Sequence, residues 1–110
     1  MTSGIIDLRS DTITRPTAAM WDAMHHCDVG DDVYGEDPNI NALEEEVAAL
    51  LGKEKAIYVA SGTMANQIAL RAQTQPGDEV VAHPWAHIVR AESAGGAALA
   101  GVQFRPVGEP

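Results

Sequence analysis

The 110-residue sequence has a single cysteine, Cys27, and therefore no internal disulfide framework. Aromatic residues make up only 5%, so a core must be built from small aliphatic side chains. That composition suits helix-on-sheet packing better than a sandwich filled with large rings. Basic residues are scarce: 7 Lys and Arg against 16 Asp and Glu give a formal net charge of −9. Double-stranded nucleic acid and an anionic membrane leaflet both repel such a surface, so neither is expected as a partner. No apolar run is long enough to span a bilayer. Residues Met1–Ile6 have neither a basic n-region nor an apolar h-region, so no secretion signal is expected and a reducing, cytoplasmic location is the default. Two nucleotide fingerprints are also missing. There is no G-x-G-x-x-G and no Gly-Lys-Ser/Thr, which disfavours Rossmann and P-loop chemistry. No internal repeat or low-complexity tract stands out.

What is present is 45% hydrophobic, enough for one small domain with its own core. Ile5 to Leu8 is a short apolar piece, read as extended. Thr17, just after Pro16, can cap a helix carrying Met20, Met24 and Cys27 at i, i+4, i+7. His25, His26 and Cys27 are contiguous and cannot all face one ion from a helix. Val29 to Pro38 holds two glycines and four acids without periodicity and reads as a loop. Its oxygen density admits a calcium or magnesium site, but the EF-hand spacing does not match. The alternatives are a solvated acidic loop or a loop that reaches a subunit partner. No metal site is predicted.

Asp37-Pro38 is a helix start, with Asp as cap and Pro at the first helical position. Ile40, Leu43, Val47, Leu50 and Leu51 form an apolar stripe, and Gly52 stops the helix. Glu44-Glu45-Glu46 reads as its solvated face. Ala56 to Ala60 is predicted as a strand covered on both faces. Met64 to Gln73 is predicted as a helix with Met64, Ile68 and Ala72 on one side. Pro76-Gly77-Asp78 is a turn. Glu79 to Ala82 is the second strand, Ile88 to Gly101 a helical stretch weakened by Gly95-Gly96, and Val102 to Val107 the third strand. This alternation argues for an α/β fold with a parallel sheet and right-handed crossovers. Three parallel strands make a small sheet whose outer strands want neighbours, so the chain reads as an incomplete domain.

Two places at the carboxyl ends of the predicted strands can carry chemistry. In Ser61-Gly62-Thr63 the first amides of a helix have no internal partners, the macrodipole makes that end partly positive, and Gly62 lets a phosphate approach the backbone. Ser61 and Thr63 can each add a hydroxyl. The plain alternative is that Ser61 is only an N-cap. His87 follows the second strand and could stack on a planar ring or shuttle a proton. Its plain alternative is a surface or capping histidine. His83 and His87 are four apart, but Pro84 opposes one helix through both, so a metal pair is weak.

Several segments together resemble one family: Asp7-Leu8-Arg9-Ser10-Asp11-Thr12, Arg15-Pro16-Thr17, Gly30 to Pro38, Ser61-Gly62-Thr63-Met64-Ala65-Asn66-Gln67, Gly77-Asp78-Glu79-Val80 and Ala86-His87-Ile88. In this order, from about Ile5 to the end, they are similar to the L-threonine aldolases. These belong to the β-eliminating lyase group of fold-type I pyridoxal 5'-phosphate enzymes. The resemblance implies that residues 1–110 are the N-terminal arm and the first part of a cofactor-binding large domain, with the rest of that domain and a small C-terminal domain lying elsewhere. It implies that Gly62 and Thr63 bind the cofactor phosphate and that His87 stacks on the pyridine ring. His87 is also the candidate catalytic residue for proton transfer, directly or through a water. By resemblance, Ser10 helps hold the substrate carboxylate, and Tyr34 completes a neighbouring subunit's site in a homo-oligomer that is a dimer of dimers. The implied reaction cleaves L-threonine, L-allo-threonine and related β-hydroxy-α-amino acids to glycine and an aldehyde.

The lysine that holds the cofactor aldehyde has no counterpart here, since Lys53 and Lys55 sit at a helix end. These 110 residues alone are therefore expected to be inactive and marginally stable. The remaining alternatives are another β-eliminating amino-acid lyase of the same group and a non-catalytic phosphate-binding α/β module.

Overall fold

Side-chain caps set where the helices begin. In the computed structural model, which describes residues 6–109, Thr17 caps α1 (Ala18–His26) by accepting the Met20 amide. Asp37 caps α2 (Pro38–Leu51), Pro38 takes the first turn, and Gly52 ends the helix in the left-handed region (φ 61). These three sites match the sequence reading. The chain divides into two compact units, Met1–Ala56 and Ile57–Pro110.

In the first unit, the N-terminal apolar piece is seen only in part. Ile5 and the segment before it lie outside the described residues, while Ile6 and Leu8 are exposed and in no regular element. His25, His26 and Cys27 are also exposed. The acidic segment is a loop built around a short 3-10 turn, Asp32–Tyr34. Asp31 caps that turn through the Val33 amide, and Gly35 leaves it with φ 68. Asn41 Nδ2 donates to Gly35 O at 2.8 Å, and Asn39 Nδ2 donates to Asp28 O. Gly30 is required by close approach, because a Cβ there would lie 2.2 Å from the carbonyl oxygen of Glu36. Among the described residues no group of three His, Cys, Asp or Glu side chains could hold a metal ion.

One expectation for α2 needs correcting. Glu45 and Glu46 are exposed, but Glu44 is half-buried. Glu44 stands four residues after Ile40 and four before Ala48, so helical spacing turns it toward their face. Leu50 and Leu51, assigned to the apolar stripe, are largely exposed.

The second unit begins with the segment predicted as the first strand. Ala56 to Ala60 forms no strand, and among the described residues the sheet has two strands rather than three. A strand exists only where a neighbour supplies a hydrogen-bond ladder, and among the described residues β1 (Glu79–Ala82) pairs with β2 (Gln103–Pro106) alone. The pair is parallel, as expected, with Val80 opposite Phe104 and Val81 opposite Arg105. Val80 and Ala82 are half-buried while Val81 is exposed, so one face of the sheet is covered.

Before β1 comes α3 (Gly62–Gln73), then the tight turn at Pro76-Gly77-Asp78, where Gly77 has φ 97. The connection from β1 to β2 is not one helix. It consists of a single turn, α4 (His87–Arg90), and a π-helical turn, Gly96–Ala100. Between them Ser93 (φ 51) and Ala94 (φ 61) are both left-handed. The expectation that Gly95-Gly96 only weakens a helix is too simple. A Cβ on Gly95 would come within 2.8 Å of the Gln67 side chain, and one on Gly96 within 2.4 Å of the Phe104 ring. The two glycines let the connection lie against α3 on one side and β2 on the other. The π-helical turn packs on both elements.

Among the described residues the buried hydrophobic side chains are Ala48, Ala100 and Val102, all small. Among the described residues no helix is long and apolar enough to cross a membrane.

Candidate cofactor site

Ser61 is extended (φ −158) and its hydroxyl accepts the Met64 amide at 3.1 Å, so it does cap α3. That leaves the amides of Gly62 and Thr63 at the opening of a three-turn helix. Neither amide has a backbone acceptor among the described residues. A Cβ built on Gly62 meets nothing within 4 Å, so the approach to these amides is open. Two outward N–H groups, a hydroxyl and the positive end of a helix make a donor set that fits a phosphate dianion.

A cleft of about 630 Å³ runs from Ser61 and Thr63 along Met64, Ile68 and Ala72, with Leu99 on its rim. Met64, Ile68 and Ala72 are the side chains predicted to share one side of α3, and Gln67 and Arg71 line the cleft beside them. His87 does not line it.

His87 opens α4 and its imidazole Nδ1 lies 2.8 Å from Glu92 Oε1. Glu92 is only 5% exposed. Asn66 Nδ2 donates to Oε1 and Gln67 Nε2 to Oε2, each at 2.6 Å. These amide donors, Asn66 first, together with His87 hold the Glu92 carboxyl below the usual carboxylate range, against burial, which pushes it up. Asn66 and Gln67 lie about one turn into α3, so the cluster ties His87 to the helix whose first amides are open. Through Glu92 the structure links His87 to Asn66 and Gln67 of the helix that opens at Gly62 and Thr63. Glu92 was not found from sequence. The pairing is five residues apart, which no regular helix places on one face, and the other two partners are 25 and 26 residues away. The adjacent Gly95-Gly96 is the one local signal of close packing there.

His83 takes a local structural role: its Nδ1 accepts the Trp85 amide at 3.1 Å. Ser10 and Tyr34 belong to the first unit. Ser10 caps a 3-10 turn, Asp11–Ile13, by accepting the Thr12 amide, and Tyr34 is 76% exposed at the end of the acidic loop's turn. Lys53 and Lys55 are exposed beyond the end of α2.

An open helix start after an extended segment, a histidine past a parallel strand and a βαβ connection describe an α/β protein of the group suggested by the motifs. Residues 7–110 match the model of the β-eliminating lyase family, and the chain belongs to that family. Its curated relatives include a low specificity L-threonine aldolase of Escherichia coli (strain K12), 48% identical over 103 residues that make up 94% of this chain and 31% of the relative. Low-specificity L-threonine aldolase 1 of Arabidopsis thaliana is 46% identical over 93% of this chain and 29% of its own length. A Saccharomyces cerevisiae low specificity L-threonine aldolase is 44% identical, covering 92% and 26%. The chain thus spans about a third or less of the length of these relatives.

Proposed function

We propose that this chain forms the N-terminal arm and the first part of the cofactor-binding domain of a cytoplasmic pyridoxal 5'-phosphate-dependent lyase. In the whole protein that lyase cleaves L-threonine, L-allo-threonine and related β-hydroxy-α-amino acids to glycine and an aldehyde. The observation that carries this reading is the open donor set of Gly62 and Thr63 on the same hydrogen-bonded framework as His87. Family membership and the names of the relatives support it.

When bound, the cofactor supplies an electron sink for breaking the Cα–Cβ bond. The chain's own residues bind and orient. The Gly62 and Thr63 amides and the Thr63 hydroxyl hold the phosphate. His87 covers the ring and, directly or through a water, moves the proton of the substrate β-hydroxyl. Ser10 contacts the substrate carboxylate. Tyr34, exposed on its loop, completes the site of a neighbouring subunit in a dimer of dimers.

The test is a bulky swap at Gly62. Because a Cβ built at Gly62 meets nothing within 4 Å, Gly62→Leu is expected to obstruct the phosphate approach without disturbing the fold. The expected result in the whole protein is an unchanged melting temperature with pyridoxal-phosphate affinity reduced by about tenfold or more, roughly 1.4 kcal/mol. Unchanged affinity for the cofactor sinks the assignment.

A further inference from the structure

Glu92 has no part in the roles assigned above, yet it is the most elaborately held side chain of the second unit. In a chain of net charge −9 it is withdrawn from water to 5% exposure, and three side chains converge on it. Two of them, Asn66 and Gln67, come from α3; the third is the imidazole of His87. The backbone is arranged to allow this. Ser93 and Ala94 are consecutive left-handed residues, a conformation that non-glycine residues adopt at a cost and that folds keep where a side chain must be aimed. That reversal follows Glu92 directly and turns the chain back onto α3. Gly95 then closes on Gln67, the donor to the second carboxylate oxygen.

We propose that Glu92 is a positioning residue. Its Oε1 accepts a hydrogen bond from the Nδ1–H of His87, which fixes the plane and tautomer of the imidazole and leaves Nε2 as the unprotonated outward nitrogen. With its two oxygens on Asn66 and Gln67, it also sets the histidine at a defined distance from the opening of α3. A carboxylate behind a histidine commonly selects the tautomer in this way. The role of Glu92 toward a cofactor rests on the proposed function, but its effect on His87 is present without any ligand.

The experiment uses the whole protein, labelled with 15N-histidine and free of cofactor, at about pH 8, above the ordinary histidine range. His87 is assigned by the signal lost in His87→Asn. The expected spectrum shows a protonated, pyrrole-type Nδ1 and a pyridine-type Nε2 for His87. Glu92→Gln abolishes that selection, giving a mixed or inverted tautomer, and Glu92→Asp restores it. A proton on Nε2 in the wild type, or the same tautomer in Glu92→Gln, overturns the proposal. Should Glu92→Gln fail to fold, the wild-type spectrum decides by itself. As a second readout, Glu92→Gln with a restored fold is expected to bind pyridoxal phosphate about tenfold more weakly, the loss typical when the orienting partner of a functional histidine is removed. The two readings fail separately: an indifferent Gly62→Leu removes the phosphate assignment and leaves the tautomer result standing, whereas a wrong tautomer removes the role of Glu92 and leaves cofactor binding standing.

Discussion

Asp37 and Glu92 are both carboxylates withdrawn from water beside irregular backbone, one in each unit, and they are satisfied in opposite ways. Asp37, 9% exposed, accepts from three backbone amides: Gly30 at 3.1 Å, Asn39 at 2.9 Å and Ile40 at 3.1 Å. The Gly30 amide, then that of Ile40, hold its carboxyl below the usual range against burial. Glu92 accepts from side chains only. A backbone-held carboxylate shapes the chain around it. Here Asp37 starts a helix and pins the acidic loop at the same time. A carboxylate held by side chains instead orients those side chains, and one of them is the candidate catalytic imidazole. The comparison separates an acid that shapes backbone from one that orients side chains, although both are largely withdrawn from water.

The largest expected effect comes from Glu92→Ala. It leaves the Asn66 and Gln67 amides without their acceptor, and an unsatisfied buried donor costs about 1–3 kcal/mol. Chemical denaturation of the whole protein should register that loss, and a change under about 1 kcal/mol would mean the cluster contributes little to holding the unit together. Asp37→Ala should be milder, about 1–2 kcal/mol, the usual loss of a helix cap, because water can reach the freed amides as the loop relaxes. It should leave the His87 tautomer unchanged; a change there would erase the distinction drawn between the two acids.

The smallest effect is that of pH. Both native carboxyls titrate below their ordinary values of 3.8 for Asp37 and 4.5 for Glu92. Their contribution is therefore complete above those values and is lost as pH falls through the lowered native ones. Thermal melts should show stability declining below about pH 4.5 in the wild type, with a shallower decline in Asp37→Asn and in Glu92→Gln. An equally steep decline in both variants would assign the acid sensitivity to other groups.

How much was legible follows the same division. The cap at Thr17, the Asp37-Pro38 start, the Gly52 stop, the Gly77 turn and the bounds of β1 all depend on a few adjacent residues, and each was read from them. The strand at Ala56 to Ala60 was misread because its residues have strand propensity but no ladder partner among the described residues. Propensity does not make a strand without a neighbour. The helical stretch after Ile88 was only half right. Nothing in Ala91-Glu92-Ser93-Ala94 announces two left-handed residues, since neither Ser nor Ala prefers that region. Glu92 was missed for the same reason. Its donors come from α3 and from a histidine out of helical register.

By itself the sequence determined the family, the helix start after Ser61 and the helix start at Asp37-Pro38. Those features are written in short-range backbone chemistry and in motifs that occupy consecutive positions. Only the tertiary structure decided that Glu92, rather than any of the other acids of an acidic chain, is buried behind His87. That choice depends on a histidine out of helical register and on hydrogen bonds spanning some 25 residues, which no local pattern encodes.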